Sequence, residues 1–565
     1  MILHLKQFVN SLNKTKLYLV LSNIALVFFL ILLSNLKIIP LQAAGDFVFF
    51  AVLTLAFALY RPGWAFLFFM GTIALENVNL APESLGFIIR PYQFIGGLLF
   101  LAVAIRFFSK RLYFQPVKLN WTDWLVFFIP LASLLHIFNS ANPKAGIKFA
   151  LILFSFAILF LLAKNYIQNA ADLKKVLPFF FGSSLVIMLY GFWQNIRFAQ
   201  GLNSFSVMPG RPNATFTEPD WLGMYLVFLL AGVYAIIYFF SCHSRETCPR
   251  LRSGSGNLVC EPNDAILDPR LRGDDKKKGM SFFLHAYLIS IFALLIISVA
   301  RSAWLATVTA TILFLLIIFT NLKINFREWQ WKNTIQIKIY ILSAFAISLV
   351  AVYFFHLTTF QLFNRAVSTG GMQKITVSCD SALCGRDAKF CVSTGATYNI
   401  SELAQFGCQH INLEEIESEK AKRNIVAEVY RKDPNVNARA EIYKKSWAEI
   451  KAHPILGIGW ENIGAVLGRD GRGVSLNSSN IFLETWLGDG IIGFISLVII
   501  LGNIFIQALI GFYKETNIEQ KSFALFIILS WTGIIIFNLF NAGIMLGFFW
   551  VWLGITSGLK YENRH

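Results

Sequence analysis

The sequence predicts an all-α polytopic membrane protein of 12–14 transmembrane helices, interrupted by one large extracytoplasmic α+β loop. Three observations carry this. Of 565 residues, 56% are hydrophobic and 14% charged, and the mean hydropathy is +0.59; a soluble domain carries about a quarter charged residues. Apolar runs of roughly 20 residues recur along the chain, long enough to cross a hydrocarbon core of about 30 Å as helices. One long polar stretch, 357–479, holds 15 basic and 13 acidic residues, the balance of a folded unit and not of a polybasic tail.

Spans are expected near 17–36, 45–60, 63–79, 91–108, 121–139, 145–167, 175–196, 221–241, 281–299, 302–320, 339–356, 480–512, 522–540 and 541–558. They divide the chain into N-terminal transmembrane helices (1–241), a low-order cytoplasmic insertion (242–280), further transmembrane helices (281–356), the loop domain (357–479) and C-terminal transmembrane helices (480–565). No A-x-A-like cleavage site follows the first span, which therefore reads as an anchor. The net charge of +17 is loop bias and not a nucleic-acid footprint. With the N-terminus inside, the inner segments hold 27 basic residues and the outer ones 7, the long loop set aside. Long loops are exempt from the positive-inside rule. Both termini are expected in the cytoplasm and the long loop outside the cytoplasmic (inner) membrane.

Arg61-Pro62-Gly63 reads as a tight inner turn. Glu76, Asn77, Asn79 and Glu83 mark the end of a span and a polar outer loop, closed by Arg90-Pro91. Trp121, Trp124 and Trp193 sit near span ends, where amphipathic rings anchor at the interface. The stretch from Arg197 to Trp221 holds Pro212 and Pro219 and cannot be a spanning helix. Residues 242–280 have almost no apolar periodicity, and the stretch from Ala265 to Asp275 within them resembles translated palindromic repeats; the expectation is a disordered cytoplasmic insertion, and the rival reading is a basic patch on anionic lipid. Ala300-Arg301-Ser302 joins two spans directly, which puts an arginine at the outer boundary.

In the long loop, Cys379, Cys384, Cys391 and Cys408 can form two disulfides in any of three pairings. Its first part reads as strands and turns. Asn412 to Glu428 reads as an exposed helix with charge pairs, stopped at Asp433-Pro434. A second helix runs from a cap at Asn437 to Ala452, with Ala440, Tyr443, Trp447 and Ile450 on one apolar stripe. Pro454 ends it, and Gly457 and Gly459 permit a turn. The chain holds no nucleotide-binding Gly-x4-Gly-Lys-Ser/Thr loop, and neither metal nor cofactor is expected.

Four patterns line up in order: Arg211…Thr215-Phe216…Glu218-Pro219-Asp220; Val299-Ala300-Arg301-Ser302-Ala303-Trp304; Arg439…Trp447…His453-Pro454-Ile455-Leu456-Gly457-Ile458-Gly459; and Asn480-Ile481-Phe482-Leu483-Glu484, followed by Gly490-Ile491-Ile492-Gly493. Separated by spans as they are, they resemble the O-antigen ligase and polymerase superfamily over roughly residues 90–510. The resemblance implies a metal-independent, inverting glycosyltransferase in cell-surface polysaccharide assembly. Its donor would be a glycan on undecaprenyl diphosphate. Its acceptor would be a sugar hydroxyl, on a lipid A core in the ligases or on another lipid-linked glycan in the polymerases. Membrane lipids would surround it, and no nucleic acid would take part.

Physical chemistry fits this reading. Breaking a bond to a diphosphate develops negative charge, which guanidinium groups stabilise. Arg211, Arg301, Arg439 and Glu484 are the catalytic candidates; Ser479, Asn480, Glu218 and Asp220 are the substrate-binding ones. Each has a structural alternative. Arg301 could snorkel to headgroups, Arg211 could pin its loop, Arg439 could form a salt bridge, and Asn480 could cap a helix. Glu484 lies about a turn inside a span, where an ionisable group is costly and hence a functional candidate. The ligases carry a histidine where this chain has Ser479, a poor base; Glu484, Glu461 or Glu218 would have to take that role, or leaving-group stabilisation would suffice. His453 precedes a proline at a helix end. The rival class is a lipid-linked oligosaccharide transporter, which would show ionisable residues along a mid-membrane path and broken helices in repeated halves. The arginines cluster instead at the boundary.

Overall fold

The computed structural model describes residues 14–112, 114–137, 142–208, 210–246, 269–320, 331–358, 372–380, 395–398, 403, 407–411, 416–432, 434–469 and 475–558. The chain is a multi-pass helical membrane protein. Helices α1 (Lys14–Asn35), α2 (Ala44–Tyr60), α3 (Pro62–Thr72), α4 (Pro91–Phe108), α5 (Trp121–Ile137), α6 (Pro143–Tyr166), α7 (Ala170–Ala199), α8 (Pro219–Glu246), α9 (Pro269–Ser298), α10 (Arg301–Thr320) and α11 (Trp331–Phe354) come first. The loop domain follows, with β1 (Met372–Cys379), β2 (Cys408–Ile411), α12 (Ile416–Ala421), β3 (Ile425–Lys432), α13 (Pro434–Ala452) and α14 (Trp460–Leu467). Helices α15 (Ile481–Lys514), α16 (Ile518–Asn538) and α17 (Gly547–Gly558) close the chain. Among the described residues, 10 helices are long and apolar enough to cross a membrane, and α2 and α5 are shorter apolar helices.

Burial orders the bundle. The span of α8 is 83% buried and that of α1 only 17%, so α8 runs through the centre and the loop before it lies over the middle of the bundle. Peripheral helices expose large apolar side chains, such as Phe49, Val52 and Leu151, as lipid-facing helices do. On the rim that bears the loop domain, Asn77 N donates to the Thr215 carbonyl (2.8 Å), and the Thr215 hydroxyl donates to the Ala74 carbonyl (2.7 Å). On the opposite rim, Arg106 Nε donates to the Leu59 carbonyl (2.9 Å). There Lys164, only 1% exposed, pairs with Asp123 and donates to the Ser557 carbonyl (3.2 Å). A buried ammonium so supplied with acceptors ties α5, α6 and α17 together.

Two expected spans are shorter than read. The third, expected to reach residue 79, stops at Thr72, and Glu76 beyond it is 2% exposed. The last, expected from residue 541, begins at Gly547 after a buried connection through Ala542 and Ile544. These two ends meet. Glu76 accepts from Tyr92 Oη (2.8 Å) and from the Gly547 amide (2.8 Å) at the start of α17, and its carboxylate lies 2.9 Å from Arg90 Nε. A carboxylate on the free amides of a helix start is favourable, and this one joins two half-length helices.

The loop domain carries a three-stranded antiparallel sheet in the order β2-β1-β3. Its small core is Ile375, Val377, Cys379, Leu403, Cys408, Ala427 and Val429. Cys379 and Cys408 face each other across β1 and β2 and form a disulfide; Cys384 and Cys391 lie outside the described residues. The helix expected over Asn412 to Glu428 is confined to Ile416–Ala421. From Ile425 the chain is strand, because Ile425, Ala427 and Val429 alternate toward the sheet core. Pro434 does not stop a helix but starts α13, where its missing amide costs nothing. The buried line of α13 is Ile442, Ser446 and Ile450, while Ala440 and Trp447 are exposed. Of the expected insertion, residues 247–268 lie outside those described; from Pro269 the backbone is helical and runs on into α9.

Candidate functional site

The Arg211 loop lies across the top of α8. Arg211 Nε donates to the Ser298 carbonyl (2.8 Å), and Nη2 reaches Asp220 Oδ1 at 3.2 Å. Ser298 is the last residue of α9, so Arg211 is fixed against the hairpin that presents Arg301. Val299 in that hairpin has φ +54, a left-handed turn that lets α10 begin at once with Arg301. Both arginines are half-buried. Glu218, one residue before α8, is half-buried on the same loop.

The fourth pattern forms the entry to α15. Asn480 caps this helix, its Oδ1 accepting from the amides of Phe482 (2.9 Å) and Leu483 (3.2 Å). Ser479 sits at φ +51, and the buried carboxylate of Glu484 accepts from the Ser478 amide. Glu484 therefore fastens the turn ahead of its own helix. Glu461 is also turned inward: its Oε1 lies 3.3 Å from His136 Nδ1 of α5. His453 is exposed at the end of α13.

One segment that in sequence looks like a mere seam between two spans joins these parts. It is the connection Leu539-Phe540-Asn541 after α16. The Leu539 carbonyl accepts from Asn480 Nδ2 (3.2 Å) and Tyr443 Oη (3.2 Å). The Phe540 ring lies 6.0 Å from the Arg439 guanidinium. Asn541 Nδ2 donates to Ser302 Oγ (2.9 Å), next to Arg301. Burial raises the Tyr443 hydroxyl above its ordinary pKa, while the Arg439 charge pulls it down. Contacts thus run without interruption from Arg211 through 298–302 to 541, 540 and Arg439, and from 539 to Asn480. Two asparagines, Asn538 and Asn541, between two apolar spans were the signal available in the sequence. Beside this hub an open groove of about 560 Å³ is lined by Tyr443, Lys444, Trp447, Asn480, Phe482 and Leu483.

The two glycine patterns interlock. Helix α15 breaks at Gly490, where φ is +65. The chain after α13 docks there through its backbone: the Ile458 amide donates to the Leu487 carbonyl (2.7 Å) and the Ile491 amide to the Ile455 carbonyl (3.1 Å). A Cβ on Gly457 would lie 2.3 Å from the Leu487 oxygen, and one on Gly490 would lie 2.0 Å from the Ile455 oxygen. Gly457 therefore does more than permit a turn; it allows two backbones to touch.

A multi-pass helical protein with a small sheet in its one large loop thus gathers arginines and glycines from four distant stretches on one rim, and guanidinium groups so placed can hold an anionic group. Residues 286–498 match the family model for O-Antigen ligase, which supports the O-antigen ligase superfamily and a place in polysaccharide assembly. The match takes in the Arg301 hairpin, the loop domain and the first half of the Asn480 helix; Arg211 lies before it and the 539–541 connection after it. No curated protein and no solved structure matches the chain.

Proposed function

We propose that the protein transfers a glycan from undecaprenyl diphosphate to an acceptor hydroxyl at the outer face of the cytoplasmic membrane. The supporting observation is the continuous run of contacts that joins Arg211, Arg301 and Arg439 to Asn480 on the rim carrying the loop domain. In this reading the acceptor oxygen bonds to the anomeric carbon as the bond from that carbon to the diphosphate breaks. The electron pair leaves with the diphosphate, and the guanidinium groups stabilise it there. Glu218 takes the acceptor proton: it lies half-buried on the Arg211 loop, whereas Glu484 and Glu461 are buried against Ser478 and His136. The groove beside Asn480, apolar but for Lys444 and Asn480, suits the first isoprene units of the carrier.

The test is transfer from an undecaprenyl-diphosphate-linked glycan by purified protein, offered lipid A core and a second lipid-linked glycan as acceptors. Arg301→Lys and Arg439→Lys should lose about a hundred- to a thousand-fold in rate, nearly as much as the alanine variants, because lysine cannot make the planar two-point contact. Near-wild-type turnover in both lysine variants would show that these arginines only anchor to headgroups, where lysine serves equally well.

A further inference from the structure

Next to the Arg211 loop, three aromatic rings form a stack that the transfer chemistry does not use. Tyr190 and Trp193 of α7 lie 5.6 Å apart at 25°, and Trp193 and Phe205 lie 5.8 Å apart at 12°. The Arg197 guanidinium sits 4.9 Å from the Trp193 ring and 5.5 Å from the Phe205 ring. Its Nε donates to the Asn203 carbonyl (2.6 Å), and among the described residues its Nη groups meet no protein acceptor.

The stack is built, and it faces outward. Phe205 has φ +53, a conformation unfavourable for an aromatic residue. It is held there from both sides: its amide donates to Asn203 Oδ1 (3.0 Å), and its carbonyl accepts from Gln194 Nε2 (3.2 Å). Gln194 is 1% exposed and accepts the Ala214 amide (2.7 Å) through its other end. A single buried side chain thus fixes the platform to the loop that carries Arg211. Yet Trp193 is 39% and Phe205 38% exposed. An interfacial anchor needs neither a strained backbone nor a double clamp. Strain of this kind clusters at ligand-binding sites.

We propose that Trp193, Phe205 and Arg197 form a subsite for a pyranose ring of the glycan substrate. The apolar C–H face of the sugar lies on the exposed aromatic surface, and the Arg197 Nη groups donate to its hydroxyl or carboxylate oxygens. A lipid acyl chain would leave those donors unmet, which is why the sugar is the occupant. The subsite rests on the glycosyl-transfer reading and sits beside the reacting centre, where it holds the sugar chain in register.

The experiment measures binding to the full-length protein in detergent by calorimetry. The probe is the oligosaccharide released by mild acid from the source cells' own lipid-linked pool; phosphatidylglycerol vesicles are the second probe. Trp193→Ala and Phe205→Ala should weaken oligosaccharide binding at least tenfold, and Trp193→Phe should retain it. Vesicle binding should be unchanged in all three. Melting temperatures close to wild type confirm that the exposed rings were removed without unfolding. Oligosaccharide binding that ignores all three substitutions, or vesicle binding that falls with them, overturns the subsite. Arg301→Lys separates the two claims: binding that survives while transfer is lost supports both. Loss of the subsite with transfer still dependent on Arg301 leaves the transfer reading standing alone.

Discussion

Glu76 shows how much one side chain can hold in this protein. The sequence places it among polar residues at the end of a span, and an exposed carboxylate there would matter little. In the structure it is 2% exposed and meets Arg90, Tyr92 and the first amide of α17. Removing one partner of a buried pair leaves the other charge uncompensated and costs about 3–5 kcal/mol. Glu76→Gln should therefore lower the melting temperature in detergent by many degrees, while Glu83→Gln, on an exposed residue nearby, should leave it unchanged. Equal melting of the two variants would contradict the burial of Glu76. Glu419 of the loop domain is a different case, a half-buried carboxylate outside the membrane spans. Hydrogen bonds from Lys422, Asn424 and Ser378 lower its pKa from 4.5 to about 2. Its folded pKa is depressed, so its stabilising contribution is present above pH 4.5 and is lost as the pH falls toward 2. Protection of the Ser378 amide in β1 against exchange, taken relative to its intrinsic rate at each pH, should fall over that window in the wild type and show no such step in Glu419→Gln.

At the scale of elements, the break in α15 sets the loop domain on the bundle. Gly490 needs both its positive φ and its missing Cβ, since a methyl group would overlap the Ile455 carbonyl. Gly490→Ala should destabilise the protein by more than the roughly 1–3 kcal/mol of its glycine-only backbone conformation alone, and it should also reduce transfer, because α13 and Arg439 lose their seat. Gly502 lies in the same helix, and a methyl group added there would meet nothing within 4 Å, so Gly502→Ala should be neutral or stabilising by up to about 1 kcal/mol. Thermal unfolding of the two variants in detergent checks this, and an unshifted Gly490→Ala would refute the interlock. Helices of full span length were legible because their apolar runs have no other explanation. The half-length helices α3 and α17 were not, because a connection such as 539–546, apolar but for Asn541, looks like part of a span when its neighbours are apolar. Asn480 was legible as a cap from its place before Ile481. The buried stripe of α13 lies one helical step from the expected one, since Ser446 is buried where Tyr443 and Trp447 were expected. The glycines read as turn formers because close approach of two backbones leaves no trace in either segment alone. The link from Arg211 to the end of α9 joins residues 87 apart in sequence, and no local pattern encodes it.

For the molecule as a whole, the two rims make distinct claims. Helices α8 and α9 reach the rim opposite the loop domain at Glu246 and Pro269. Joining these residues by a short Gly-Ser linker in place of 247–268 should preserve folding and transfer, and loss of folding would reveal a structural unit in that stretch. Orientation is the larger claim, since a lipid-linked donor presented outside must meet the arginines there. Epitope tags inserted after Gly201 and after Gln115 report the two rims. Gly201 is exposed with no atom near a would-be Cβ, and Gln115 is exposed between α4 and α5, so neither insertion should disturb packing. On intact spheroplasts an antibody should bind the Gly201 tag and not the Gln115 tag; permeabilised cells should bind both. The positive-inside asymmetry predicts this sidedness, and the Cys379–Cys408 disulfide of the loop domain agrees with it, because disulfides persist in oxidising compartments. The reverse labelling would put the arginines in the cytoplasm and remove the outer-face transfer mechanism, while leaving the fold and the family match untouched.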